Sequence, residues 1–302
     1  MNKQLTFKDY LWSLVFFLLL ICIIASFFLG VKVGRDTTER RYEHLVGAQS
    51  ELPDESTSYA QQHLVSFYHN IYLPYREFSN KWFEDLDKIE LRKHTVDPAA
   101  VLRELEKLAQ RQYEEMQDVH FPETSPKLKS AHENYMKSLH LFAKAMGKSS
   151  LKRLNGSELI AALEQDEFVA EARSYALQAQ EDYFQSIVEW HRLADGNVKV
   201  PESLDQVTLA EWNEMPLTVK NWLVTVAMKQ LDAFANVYPQ DVSLNIDILI
   251  ENGLAARMNL ETVQEIVDML IHTRAVRLND FIALKDRYYA HETLPQLPFF
   301  TE

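Results

Sequence analysis

His132 and His140 lie eight residues apart, with Glu133 beside the first, in a stretch whose pattern is helical. Imidazole and carboxylate are the ligands that zinc and di-iron centres use. Eight residues along one helix span about 12 Å, too far for the two histidines to share an ion. Di-iron bundles place Glu-x-x-His on two facing helices, and that motif does not occur in this chain. Glu189 and His191 flank Trp190 and point to different helix faces. His291-Glu292 begins like the zincin motif His-Glu-x-x-His. Thr293-Leu294-Pro295 follows, so the second histidine is missing and the proline breaks the helix. Solvated or hydrogen-bonded side chains are expected at all of these positions. Paired carboxylates such as Asp85 with Asp87 and Glu114 with Glu115 read as outer faces of acidic helices.

Other reaction classes need signals that are missing. Phosphate loops need clustered glycines that let the backbone approach the ligand. The glycines are Gly30, Gly34, Gly47, Gly147, Gly156, Gly196 and Gly253, too scattered for such a loop. No Gly-x-Ser-x-Gly elbow is present. The single cysteine, Cys22, sits in an apolar stretch, so disulfides and thiolate metal sites have no material elsewhere. The sequence therefore predicts no catalytic residue, no cofactor and no metal, and a chain that is not an enzyme. An aromatic-rich stretch over 58–83 keeps a ligand-lined pocket as an alternative. Asn155-Gly156-Ser157 matches a glycosylation triplet but serves equally as a turn and helix cap.

The elements that would carry these residues are helices. Seven glycines in 302 residues is a third of the usual ~7%, which disfavours turn-rich β folds. Residues 58–92 read as an aromatic helix that Pro74 should kink or split. Asp97-Pro98 opens the next helix, with Leu102, Leu105, Leu108, Tyr113 and Met116 on one face. Ser125-Pro126 opens a third. Its seam is Leu128, Ala131, Tyr135, Leu139, Phe142 and Met146. A long helix after 157 carries Phe168, Ala172, Ala176, Ala179, Tyr183, Ile187, Trp190 and Ala194 inward. Residues 195–207 hold turn residues and Pro201, and Thr208 with Glu211 fits a capping box. Helices are expected over 217–238 and 260–291. Over 242–250, alternating Val242, Leu244, Ile246, Ile248 and Ile250 argue for a strand. A helix from Asp241 to Asn252, closed by Gly253, fits the surroundings better. The tail after Tyr289 ends in Phe299-Phe300, expected to pack against its own bundle. Trp82, Trp190, Trp212 and Trp222 are expected as core anchors.

The strongest signal is Leu11–Leu29, nineteen residues without a charge. With the following residues to Val33 it matches a ~30 Å hydrocarbon core. Tyr10 and Trp12 suit an interfacial aromatic belt. The run is too long for a cleaved signal peptide's apolar core. The expectation is an all-α chain with a single N-terminal transmembrane helix followed by a multi-helix bundle. Its parts would be a tail at 1–10, the span at 11–33, a stalk and linker at 34–57, a bundle at 58–195 and a C-terminal helical subdomain at 208–302.

Ser26, Gly30 and Gly34 recur every fourth residue, a stripe on which two anchors can pack. A homodimer through the anchor would use it; incidental small residues at a helix end are the plainer reading. A count of Lys32, Arg35, Arg40 and Arg41 against Lys3 and Lys8 would place the domain inside. The short basic tail before an uncleaved anchor is the usual layout for a domain outside, and that orientation is expected. The chain carries −13, and its residues after Val33 carry −15, which repels nucleic acid and anionic lipid heads. The expected partners are the lipid bilayer and a protein at the membrane, with no nucleic acid. The expected role is a membrane-anchored, non-catalytic interaction or scaffold protein of the cell envelope. A ligand-binding sensor ectodomain acting through a membrane partner is the alternative, and an enzyme with a dispersed site a distant third.

Overall fold

The computed structural model describes residues 60–91, 96–154 and 156–301. The apolar run 11–33, its Ser26, Gly30 and Gly34, the tail, the stalk and Asn155 lie outside these described residues. No helix among the described residues is long and apolar enough to cross a membrane. Residues Thr57–Glu302 form one compact unit. Its described residues are helical, joined by turns, with no strand; a single isolated bridge pairs Thr208 with Thr262.

The first helix, α1 (Gln61–Phe67), runs through a π-helical turn (Tyr68–Tyr72) into α2 (Leu73–Leu91). Leu64, Phe67, Ile71, Tyr75, Phe78, Trp82 and Ile89 form its buried stripe. The chain stays helical through Pro74, with a π turn just before it. A proline has no N–H to give and its ring crowds the carbonyl one turn back. The π turn opens that spot, and the Leu73 amide donates to the Tyr68 carbonyl instead.

Helix α3 (Pro98–Gln117) starts where expected, with the Asp97 side chain accepting from the Ala99 amide at 3.0 Å. Helix α4 (Pro126–Gly147) buries its whole predicted seam, from Leu128 to Met146. It packs between α3 and the 28-residue α6 (Glu167–Ala194).

The single long helix expected after 157 is two helices, α5 (Gly156–Glu164) and α6. Asp166 causes the break. Its carboxylate accepts from the Phe168 amide at 3.0 Å and the Val169 amide at 3.3 Å, capping a new helix. On α6, Trp190 is half-buried and Ala194 is exposed, so the inward stripe ends earlier than expected.

Helix α7 (Leu209–Glu214) carries the expected Thr208/Glu211 capping box. Helix α8 (Leu217–Gln230) stops short of the expected 238, because Asp232 takes a left-handed φ of 49°. Helix α9 (Pro239–Glu251) settles the ambiguity of 242–250 in favour of helix, and Gly253 closes it at φ 63°. After the short α10 (Leu254–Arg257), the long helix expected over 260–291 is again two: α11 (Val263–His272) and α12 (Asp280–Tyr288). Arg274 at φ 51° and Asn279 at φ 71° turn the chain between them. A short α13 (Pro298–Thr301) ends the described chain.

Two apolar clusters share the interior. The first joins α1–α6 with Leu217, Leu244, Phe281 and the C-terminal Leu297, Phe299 and Phe300. The second joins α7–α11, with Leu177 and Val188 contributed by the far face of α6.

Candidate functional site

Helix burial leaves few charges inside, so each one inside needs partners. The densest polar centre is built around Asp247, on α9. The Trp212 indole nitrogen on α7 donates to its Oδ1 at 2.6 Å. The Lys220 ammonium on α8 donates to Oδ1 and Oδ2, both at 3.0 Å. The Tyr289 hydroxyl, just beyond α12, donates to Oδ2. Lys220 also lies 5.7 Å from the Trp212 ring centroid and 5.9 Å from that of Tyr289.

Burial, followed by the negative charge of Asp247, pushes the Tyr289 phenol far above its ordinary range. It is therefore a fixed donor. Both Asp247 oxygens are occupied by donors on three other segments. Chemically, this arrangement pins α7, α8, α9 and the chain after α12 to one carboxylate.

Glu292 lies beside this centre and accepts from the Leu217 amide at the start of α8 at 2.6 Å. Burial raises its carboxyl above the ordinary value, the amide and Lys220 pull it back, and Asp247 adds to the rise. The arrangement again joins segments distant in sequence: the post-α12 chain to the first turn of α8, where the helix dipole favours a negative charge.

A second buried group lies where α2 meets α9. The Arg76 guanidinium reaches Asn236 Oδ1 at 3.0 Å and stacks over Tyr238 at 4.2 Å. Asp241 accepts from the Asn279 and Phe281 amides at 3.0 and 2.8 Å, capping α12 from a distance. Burial raises its carboxyl above the ordinary value, against the pull of those amides. In the first cluster, Asp182 on α6 takes Lys127 at 2.9 Å and Ser130 at 2.7 Å, tying it to α4.

The residues singled out in the sequence do not converge on one site. The His132 ring nitrogen sits 3.0 Å from the Met116 carbonyl, and burial lowers its pKa. His140 is exposed beside the Tyr113 ring, and Glu133 is exposed. His191 is buried against the Thr218 hydroxyl at 2.7 Å, its pKa lowered by burial, while Glu189 pairs with Arg192 at 3.3 Å. Asp85 is buried between Lys81 and Lys88. Asp87 faces Arg274 at 3.9 Å, and Glu115 faces Arg111 at 4.0 Å. His291 is exposed. Among the described residues no group of three or more His, Cys, Asp or Glu side chains could hold a metal ion.

The aromatics of 58–83 pack against one another and against later helices. Phe67 stacks on Tyr183 at 4.5 Å, Tyr75 lies 4.3 Å from Tyr135, and Trp82 lies 4.8 Å from Phe142. Trp82 and Trp212 are fully buried, whereas Trp190 and Trp222 are half-buried. A surface depression of about 460 Å³ lies between α2 and α3, lined by Glu77, Asn80, Lys81, Glu84, Glu104, Leu108 and Arg111.

No family model, characterised protein or solved structure matches this chain. Its reading therefore rests on its own residues. The Asp247 centre escaped the sequence because its donors lie 35, 27 and 42 residues away. The only local hint is the Thr208/Glu211 capping box, which fixes the start of the helix that presents Trp212.

Proposed function

We propose that this chain is a membrane-anchored, non-catalytic interaction or scaffold protein of a cell envelope, with its helical unit on the extracytoplasmic side. The observation that carries the reading is the uncharged run Leu11–Leu29 leading into a compact, acidic helical unit. A single apolar helix of that length holds a domain at the bilayer. Confinement raises the effective concentration of the domain toward other membrane partners. The interior supports the same reading, since Asp247, Asp182 and Asp241 accept donors from other helices and hold the faces of the unit in place. The partner is a protein at the same membrane, and the anchor's small-residue stripe offers a homodimer contact.

The depression between α2 and α3 favours the second reading, a sensor that binds a small polar ligand and acts through a membrane partner. Proximity labelling from the full-length chain in cells separates the two. A constant set of membrane neighbours supports the scaffold, whereas neighbours that change with an added ligand support the sensor. Alkaline carbonate tests the anchor. Full-length chain retained in the pellet supports it, and release into the wash removes it. Protease added to spheroplasts reports orientation, with digestion of the helical unit expected.

A further inference from the structure

Three of the seven glycines follow an asparagine or an aspartate: Asn155-Gly156, Asp195-Gly196 and Asn252-Gly253. At such a pair the glycine nitrogen can attack the side-chain carbonyl carbon and close a five-membered imide. Glycine permits this because no Cβ crowds the ring or limits the backbone rotation that closure needs. By residue type alone the asparagine pairs rank first, since a carboxylate must take up a proton before it can be attacked. The structure orders the pairs differently.

Asn252 is exposed, but the last turn of α9 guards it. The Gly253 amide donates to the Ile250 carbonyl at 3.0 Å and the Asn252 amide to the Ile248 carbonyl at 3.1 Å. The attacking nitrogen must shed its proton, and here that proton is bound. Gly156 is buried in the first turn of α5, and its asparagine lies outside the described residues.

Asp195 has neither protection. Residues 192–197 are all exposed, at the end of α6. The Gly196 amide donates to nothing among the described residues, and a Cβ placed on Gly196 would meet no atom within 4 Å. Asp195 Oδ1 accepts from the Asn197 backbone amide at 3.0 Å and from its side-chain amide at 3.1 Å. Oδ2 has no partner among the described residues and is the oxygen free to take a proton and leave. At ψ 103° the Gly196 nitrogen stands away from the carboxyl, and a turn about one backbone bond brings it onto Cγ. Only the Asn197 contacts and the Val198 amide on the Asp195 carbonyl at 3.2 Å resist that turn. Hydrogen bonds at an exposed chain segment open at little cost.

We propose that Asp195 is a site of spontaneous modification, converting to β-linked isoaspartate through an imide with Gly196. The Gly196 nitrogen bonds to Cγ of the protonated carboxyl, and its amide proton leaves with the Oδ2 hydroxyl as water. Water then adds to one of the two ring carbonyls. Cleavage of the N–Cγ bond returns aspartate. Cleavage of the bond from the Gly196 nitrogen to the Asp195 main-chain carbonyl carbon gives isoaspartate. One water is lost and one is gained, so no other reactant is needed. The product carries one more methylene in the main chain where α6 passes into the link toward α7. The modification needs neither the anchor nor a partner.

The test ages the full-length chain in detergent micelles, warm and at mildly acidic pH, in heavy-oxygen water. Trypsin then releases Leu193–Lys199, since Arg192 precedes it. Isoaspartate separates from aspartate on chromatography, and passage through the imide leaves one heavy oxygen in either product. A synthetic peptide of residues 193–199 reports the unrestrained chemistry. Isoaspartate at 195 is expected to form within about tenfold of the peptide's rate, as for a segment that opens freely. Asn252 is expected to lag behind it. Gly196→Val, which the open surroundings accommodate, is expected to slow conversion about tenfold by crowding the ring. Asp195→Glu should end labelling at this position. A folded chain that keeps Asp195 intact while the peptide converts overturns the proposal. So does conversion of Asn252 ahead of Asp195, or a Gly196→Val chain that converts as fast as the wild type.

Discussion

Asp247 carries more of this molecule than any other single side chain. Its carboxylate is the shared acceptor for Trp212, Lys220 and Tyr289, so its removal strands a buried cation and two buried donors. Asp247→Ala is expected to cost about 3–5 kcal/mol, the usual penalty for breaking a buried ion pair on one side. Lys220→Met in that background should recover part of the loss, because it removes the stranded charge. Urea midpoints of the single and double variants measure this, and equal midpoints would mean that Lys220 finds another partner. Glu292 gives a pH signature. Its folded-state carboxyl is raised above the ordinary 4.5, so the stability it contributes is complete below that value. That stability is lost as the pH rises through the raised value, because the ionised form is the one burial disfavours. Glu292→Gln keeps an acceptor for the Leu217 amide without the charge. It is expected to raise the melting temperature at neutral pH, with the two curves converging below the ordinary glutamate range. A variant less stable at neutral pH and unchanged in acid would reverse the sign and refute the assignment. His191 runs the other way. Its lowered pKa contributes stability that is complete above 6.5 and is lost as the pH falls through the folded value.

At the scale of elements, α9 explains why its own sequence is ambiguous. Val242 and Ile246 are one turn apart and enter the second cluster, while Leu244 and Ile248 are one turn apart and face the first. Two ridges offset by two residues on a helix buried on both sides read as strand alternation. Leu244→Ala and Ile246→Ala are each expected to cost about 2–5 kcal/mol, from lost burial and the cavity left behind. The two point into different clusters, so the double variant should be additive within about 0.5 kcal/mol in a denaturant cycle. A large coupling would place both in one cluster. Helix identity was legible where capping and seam agreed, as at Asp97-Pro98 and along Leu128–Met146. Helix ends were not legible where the cap was one of several adjacent polar residues, as with Asp166 in the run Glu164 to Glu167. Asp166 splits α5 from α6 through two amide contacts, and Asp166→Ala should cost about 1–2 kcal/mol through the lost cap. Arg274 and Asn279 break α11 from α12 through left-handed backbone, which neither proline nor glycine announces. The Asp247 centre was unreadable for another reason: its geometry exists only after four segments have packed, and no spacing rule reaches across 27 to 42 residues.

The whole unit raises the question of whether two apolar clusters make two stabilities. Their composition argues for one. Helix α6 places Ala176, Tyr183 and Ile187 in the first cluster and Leu177 and Val188 in the second. Helix α9 does the same with Leu244 and Ile246, and the chain after α12 closes the loop. Tyr289, in the first cluster, shares the Asp247 carboxylate with Trp212 of the second, and Phe299 fills the first cluster ten residues further on. A solvent-exposed face cannot survive on either cluster if the helix it shares unfolds, so opening one exposes the shared helix of the other. The expectation is a single cooperative transition for the helical unit. Two chains report it, one keeping only Trp82, in the first cluster, and one keeping only Trp212, in the second, with every other tryptophan changed to phenylalanine. Their fluorescence midpoints in urea should coincide once each chain's own stability change is matched by circular dichroism. Leu177→Ala, which cuts into the second cluster from the shared helix, should then lower the Trp82 midpoint as much as the Trp212 midpoint. If Trp212 moves and Trp82 stays, residues 208–302 melt independently of the bundle at 58–195, α6 is a lid on the second cluster rather than a shared wall, and a partner could bind one half without sensing the other.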